Sequence, residues 1–93
     1  DADTPDLAGL VALCREFNAT LLVDVAHDLG SLGPHGTGSL GAQNLLGRID
    51  LVVGSFSKTF ATNGGFIATR DPALAAFLRY LAPTTTFSSA LPP

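Results

Sequence analysis

Apolar residues recur at Leu7, Leu10, Val11 and Cys14, the i, i+3, i+4, i+7 spacing of one buried helical face. Thr4 is read as the N-cap and Pro5 as the first helical position. Asp6 suits the positive end of the helix dipole, so a helix is expected within the first eighteen residues, turning at Asn18. Thr20-Leu21-Leu22-Val23 then forms an apolar run that stops at Asp24. A run without polar alternation suits a strand covered on both faces of a parallel sheet. Residues 30–41 carry five glycines and one proline and read as loop, with a short helical stretch expected near residues 42–46. Residues 49–54 give a second apolar strand, 55–63 a polar turn around Lys58, and 64–69 a third strand. Asp71-Pro72 opens a helix to about Leu81, with Leu74, Phe77, Leu78 and Leu81 on one face. From Ala82 the tail is rich in Pro, Thr and Ser and is expected to be loop. Helix, strand, loop, strand, turn, strand, helix is an α/β order.

Composition changes this picture in one respect. The chain of 93 residues is 46% hydrophobic and only 14% charged, which is little polar surface for a small domain standing alone. With no Met and a Leu-Pro-Pro end, a segment from the middle of a larger fold is expected, its strands covered by other parts. A net charge of -3 without a Lys/Arg cluster makes nucleic acid and anionic membranes poor partners. Cys14 is the only cysteine, which rules out an internal disulfide and fits a reducing, cytoplasmic setting. No apolar run approaches the roughly 18 residues of a membrane span.

In open α/β sheets ligands bind beyond the carboxyl ends of the strands. Two polar groups of residues fall there: Asp24-Val25-Ala26-His27 after the first strand, and Ser55-Phe56-Ser57-Lys58 after the second. A carboxylate or an ammonium is costly to bury at such a position without a partner, and burial favours the free amine of a lysine. The set suits pyridoxal phosphate. That cofactor needs a lysine amine for its aldehyde, an acid for its pyridine nitrogen and donors for its phosphate. Lys58 can supply the first, Asp24 the second, and the Ser55 and Ser57 hydroxyls the third; His27 can reach the ring's phenolic oxygen. Taken singly, a strand-end Asp is more often a turn former, a lone His a structural residue and a lone Lys a solvated one. It is the combination that points to the cofactor.

The motifs run in order as Asp24-Val-Ala-His27, Gly33-Pro34-His35-Gly36-Thr37-Gly38, Gly54-Ser55-Phe56-Ser57-Lys58-Thr59-Phe60, Gly64-Gly65-Phe66-Ile67-Ala68 and Phe87-Ser88-Ser89-Ala90-Leu91-Pro92-Pro93. This series resembles the α-oxoamine synthases, fold-type I pyridoxal-phosphate enzymes related to class I/II aminotransferases, over nearly the whole chain. The resemblance implies that residues 1–93 are the central part of the cofactor-binding large domain, a mostly parallel sheet flanked by helices. It implies that Asp24 pairs with the pyridine nitrogen, that His27 bonds the phenolic oxygen and that Lys58 forms the Schiff base and moves the substrate α-proton. It implies Ser55 as a phosphate ligand and Ser88 and Ser89 as hydroxyls reaching the phosphate of a neighbouring subunit, hence a homodimer with shared sites. The implied reaction condenses an amino acid with an acyl thioester such as an acyl-CoA, usually with decarboxylation. The family's ring-stacking residue and carboxylate-binding arginine are expected outside these residues, since neither Arg70 nor Arg79 sits in a matching motif. Three positions depart from the family pattern: Val25 where Glu is common, Asp28 where a small or hydroxyl residue is frequent, and Ser88-Ser89-Ala90 for Thr-Thr-Ser.

Other readings fit less of the chain. Ser55-x-x-Lys58 matches the nucleophile motif of penicillin-recognising serine enzymes, but the accompanying Ser-Asp-Asn and Lys-Thr-Gly elements are missing. Residues 30–38 lack the Gly-Lys-Ser/Thr ending of a phosphate-binding loop, and His27, His35 and Cys14 lack metal-site spacing. A non-catalytic scaffold subunit is expected to lose the lysine, which is retained. An ordinary aminotransferase is the alternative enzyme. Gly-Pro-His-Gly-Thr-Gly and the Leu-Pro-Pro end favour the acyl-condensing group.

Overall fold

The computed structural model describes residues 3–87. Along the chain run α1 (Leu7–Glu16), β1 (Leu22–Asp24), a 3-10 turn (Pro34–Gly36), α2 (Gly38–Ala42), β2 (Leu51–Ser55), β3 (Gly65–Ala68), α3 (Pro72–Leu81) and α4 (Pro83–Phe87). The α/β order read from the sequence holds, with three departures. Asp6, not Thr4, caps α1, its carboxylate accepting the Gly9 N–H at 2.9 Å. Pro5 therefore precedes the helix, and its carbonyl accepts from the Gln43 side chain at 2.9 Å. Gln43 also accepts the Leu7 N–H at 3.0 Å, so one distant amide serves a donor and an acceptor at the helix start. At the other end Asn18, with φ 49°, supplies the left-handed turn that stops α1.

The second departure is α2, which lies ahead of the expected 42–46 stretch. The Asp28 carboxylate accepts the Ser39 N–H at 2.6 Å and fixes the start, while Asn44 at φ 56° prevents continuation. The third is α4, which forms in the Pro/Thr tail expected to be loop. Proline is tolerated at a first helical position, and the Thr85 N–H closes onto the Ala82 carbonyl at 3.0 Å. The helix α3 begins as expected, with Asp71 accepting from Ala73 and Leu74. Its apolar stripe is only partly used, since Leu74 and Leu78 are half-buried while Phe77 and Leu81 remain exposed.

The sheet order is β1-β2-β3, with β1 parallel to β2 and β3 antiparallel to β2. Asp50 sets the start of the parallel pair by accepting the Leu21 N–H at 2.8 Å, and Leu51 donates to the Leu21 carbonyl. Alternation along the strands then sorts the side chains by face. Val23, Val52 and Phe66 pack against a core of Leu7, Val11, Val25, Leu40, Leu45 and Ile49. Leu22, Asp24 and Ile67 point the other way, and Leu22 and Ile67 are 54% and 48% exposed. The cover expected on both faces is thus present on one face only among the described residues, because α1 and α2 both contribute to the same side.

Leu45, 1% exposed, is the most buried residue of that core. Leu45→Ala is expected to cost about 2–5 kcal/mol, from lost transfer energy plus the cavity left behind. Equilibrium urea unfolding of the intact protein measures it; a loss within about 0.5 kcal/mol, as at a surface position, would refute the central place given to Leu45.

Candidate active site

Asp24 ends β1, and the chain turns there because one carboxylate oxygen accepts the Ala26 N–H at 2.8 Å. The next residue, Val25, is buried and donates its N–H to the Val53 carbonyl at 2.8 Å, extending the ladder by one bond. A single helical turn follows, closed by Leu29 N–H on the Val25 carbonyl at 3.0 Å, and it presents an exposed His27. Ser31 holds this turn by donating its hydroxyl to the His27 carbonyl at 3.2 Å.

The register places Asp24 opposite Val53, which in turn faces Ile67. Ser55 lies two residues beyond Val53, so it shares Asp24's face of the sheet at the same edge. Adjacent strands are about 4.8 Å apart, which brings the two side chains into one neighbourhood. Opposite Ser55 stands Gly65, which leaves that part of the face without a side chain.

Lys58 is carried on the loop between β2 and β3. Phe56 closes this loop twice, donating its N–H to the Gly64 carbonyl and accepting the Thr62 N–H, both at 3.0 Å. Inside it the Ala61 N–H returns to the Lys58 carbonyl at 3.1 Å, with Ala61 held at φ 50°. The Ser55 and Ser57 hydroxyls are 2.7 Å apart, and the Ser57 N–H donates to Ser55 Oγ at 3.1 Å. The Phe56 ring lies against Phe60 edge-on at 6.0 Å and against Phe66 at 5.7 Å. Since Phe66 packs on the core, the aromatic trio ties the lysine loop to the interior. Gly30 seats the loop from the other side. A Cβ there would lie 2.8 Å from Thr59 Cγ2 and 3.1 Å from Phe60 Cζ, and its φ of +85° is itself one that side chains rarely adopt.

Asp24 and Ser55 share one face of the sheet, and His27 and Lys58 lie on the turns that follow β1 and β2 at the same end of it. Burial does not follow as expected: Asp24, His27 and Lys58 are exposed and Ser55 is half-buried, because the site opens onto the uncovered face. Ser88 and Ser89 lie outside the described residues. Sequence reasoning missed Phe56 and Gly30 as supports. The spacing of Phe56 and Phe60 was visible, but Phe66 joins them only through the β2–β3 register, and Gly30 looked like any loop glycine. A carboxylate, an imidazole, paired hydroxyls and a primary amine on one open edge are the donor set that a phosphorylated pyridine aldehyde requires.

Comparison with known proteins bears on the same point. The family model for class I and II aminotransferases matches residues 1–93. Serine palmitoyltransferase of Sphingomonas paucimobilis is 42% identical over 91 residues, covering 98% of this chain and 21% of that protein. The putative 8-amino-7-oxononanoate synthase 2 of Mycobacterium tuberculosis is 42% identical over 88 residues, covering 95% of this chain and 11% of that protein. Among solved structures, one of SPT with PLP as an internal aldimine superposes with a TM-score of 0.86 at 41% identity, over 98% of this chain and 23% of that one. The chain thus spans about a quarter or less of the length of these relatives.

Gly30→Ala is expected to displace Thr59 and Phe60 and to loosen the lysine loop. Limited proteolysis of the intact protein should then cut between Phe56 and Gly64 at least several-fold faster than in the parent. Equal cutting rates would mean that Gly30 does not seat the loop.

Proposed function

The chain belongs to the class I and II aminotransferase family, and on that premise we propose that its protein is a pyridoxal-phosphate-dependent C-acyltransferase. It condenses an amino acid with an acyl thioester such as an acyl-CoA, usually with decarboxylation, to an α-amino ketone. Serine palmitoyltransferases and 8-amino-7-oxononanoate synthases, the relatives that support this reading, are both α-oxoamine synthases. The observation that carries it is the β1–β2 register, which sets Asp24 and Ser55 on one face with Lys58 on the loop just beyond.

Pyridoxal phosphate, when bound, supplies an aldehyde for covalent capture of an amine and a ring that withdraws electrons from the substrate's α-carbon. Each residue then has a task set by its chemistry. Lys58 Nζ would hold the cofactor's aldehyde carbon and, as a free amine, would take the proton from the substrate's α-carbon. The Asp24 carboxylate would pair with the ring nitrogen and favour its protonated form, which keeps such a ring electron-poor. Its Asx turn fixes the direction of that carboxylate before any ligand arrives. The His27 imidazole would donate to the phenolic oxygen, and the Ser55 and Ser57 hydroxyls would donate to the phosphate. We further propose a homodimer, in which Ser88 and Ser89 reach the phosphate bound by the neighbouring subunit.

The test is spectroscopic and then chemical. The intact protein incubated with pyridoxal phosphate should show a visible absorbance band that Lys58→Ala abolishes and Asp24→Ala weakens by about tenfold or more in cofactor affinity. Glycine, alanine and serine are then screened with acyl-CoAs, and release of free CoA thiol should depend on one amino acid. Absence of the band in the parent protein refutes the cofactor assignment. Keto-acid formation without CoA release supports an aminotransferase instead.

A further inference from the structure

Asp28 takes no part in the chemistry above, yet it is the described residue whose side chain is held most awkwardly. Its Oδ2 accepts the Ser39 N–H at 2.6 Å. Its Oδ1 is buried and has no partner among the described residues. Burying a carboxylate oxygen without a donor costs stability, and such groups in native proteins call for an explanation.

Its surroundings show which segments the carboxylate joins. Asp28 lies in the helical turn that presents His27, and its own carbonyl accepts from Ser31 and Leu32. The carboxylate reaches from that turn to the first turn of α2. Gly38 permits the approach: a Cβ there would lie 3.1 Å from the carboxylate atoms. Between these points the glycine-rich loop folds back on itself, with Gly30 N–H on the Gly36 carbonyl at 2.7 Å and Gly38 N–H on the Leu32 carbonyl at 2.8 Å. Gly30, at the near end of that loop, is the seat of Thr59 and Phe60 beside Lys58. One carboxylate thus closes a loop that touches the His27 turn on one side and the lysine loop on the other.

We propose that Asp28 is a positioning residue that sets the lysine loop relative to the His27 turn, acting through its bond to the Ser39 N–H. The inference rests on the proposed role of Lys58 for its catalytic meaning, but not for its mechanical part.

Hydrogen exchange on the intact protein reads the brace directly, at the Ala61 and Thr62 amides, whose bonds close the lysine loop. In Asp28→Ala these amides should exchange at least about tenfold faster, while those of the β2–β3 ladder stay at the parent rate. Asp28→Asn keeps an oxygen for the Ser39 N–H and should restore the parent rate. Ser39→Pro removes the donor within the first turn of α2, where no intrahelical bond is lost, and should match Asp28→Ala; the double variant should add nothing further. With pyridoxal phosphate bound, release of the cofactor should quicken in the same variants by a similar factor. Parent-like exchange in Asp28→Ala, failure of Asp28→Asn to rescue, or additive effects in the double variant would each overturn the proposal. If Asp28→Ala does not fold, Ser39→Pro and Asp28→Asn decide it. A parent protein with no visible band would remove the proposed function and leave the exchange result to judge Asp28.

Discussion

The parallel register between β1 and β2 is the constraint on which the site depends. Side chains alternate between faces along a strand, so a slip of one residue would carry Asp24 to the core side and bring Val23 out. Backbone and side-chain bonds at both ends of the pair resist that slip. Asp50 and Leu51 fix the entry through Leu21, and the Val25 N–H fixes the exit on Val53. Val25 is buried directly after the last strand residue, so apolar packing and the hydrogen-bond ladder specify the same alignment. The exposed carboxylate at Asp24 follows from that agreement, without any local preference of its own for the face it occupies.

Around this fixed pair the candidate site side chains beyond Asp24 and Ser55 are borne by turns, and the turns are secured from within. The lysine loop has little regular structure, but Phe56 supplies both backbone closures and the aromatic link to Phe66 on the core. The glycine-rich loop works in the opposite way, by lacking side chains where two segments meet. Gly30 under Thr59 and Phe60, and Gly38 against Asp28, allow approaches that a larger residue would prevent. Exposed reactive groups are therefore carried on backbone whose own polar atoms are largely paired.

Much of this was legible in the sequence where the signal was local. Apolar runs ending in a polar residue gave β1 and β2, and Asp71-Pro72 marked α3 to within its observed limits. The placing of Asp24 at the end of β1 and of Lys58 just beyond β2 followed from the polar residues that end each apolar run. Long-range partners were not legible: Gln43, which pairs with the start of α1, and Asp28, which fixes the start of α2. Burial was misjudged for a related reason. Strands such as Leu22 and Ile67 are apolar enough for two covered faces, but the described residues furnish a layer for only one.

The two strands that frame the site meet β2 through connections of very different length. β3 returns to β2 directly across the short lysine loop, while β1 reaches it only after the glycine-rich segment and α2. The chain entropy lost in closing a loop grows with its length, and contacts between distant segments form late for the same reason. Lys58 therefore sits on the half of the site that closes with the smaller entropic loss, and Asp24 on the half that closes with the larger. Added chain length between residues 25 and 50 weighs first on the acid side of the site, and reaches the lysine loop only through the seat that Gly30 gives Thr59 and Phe60.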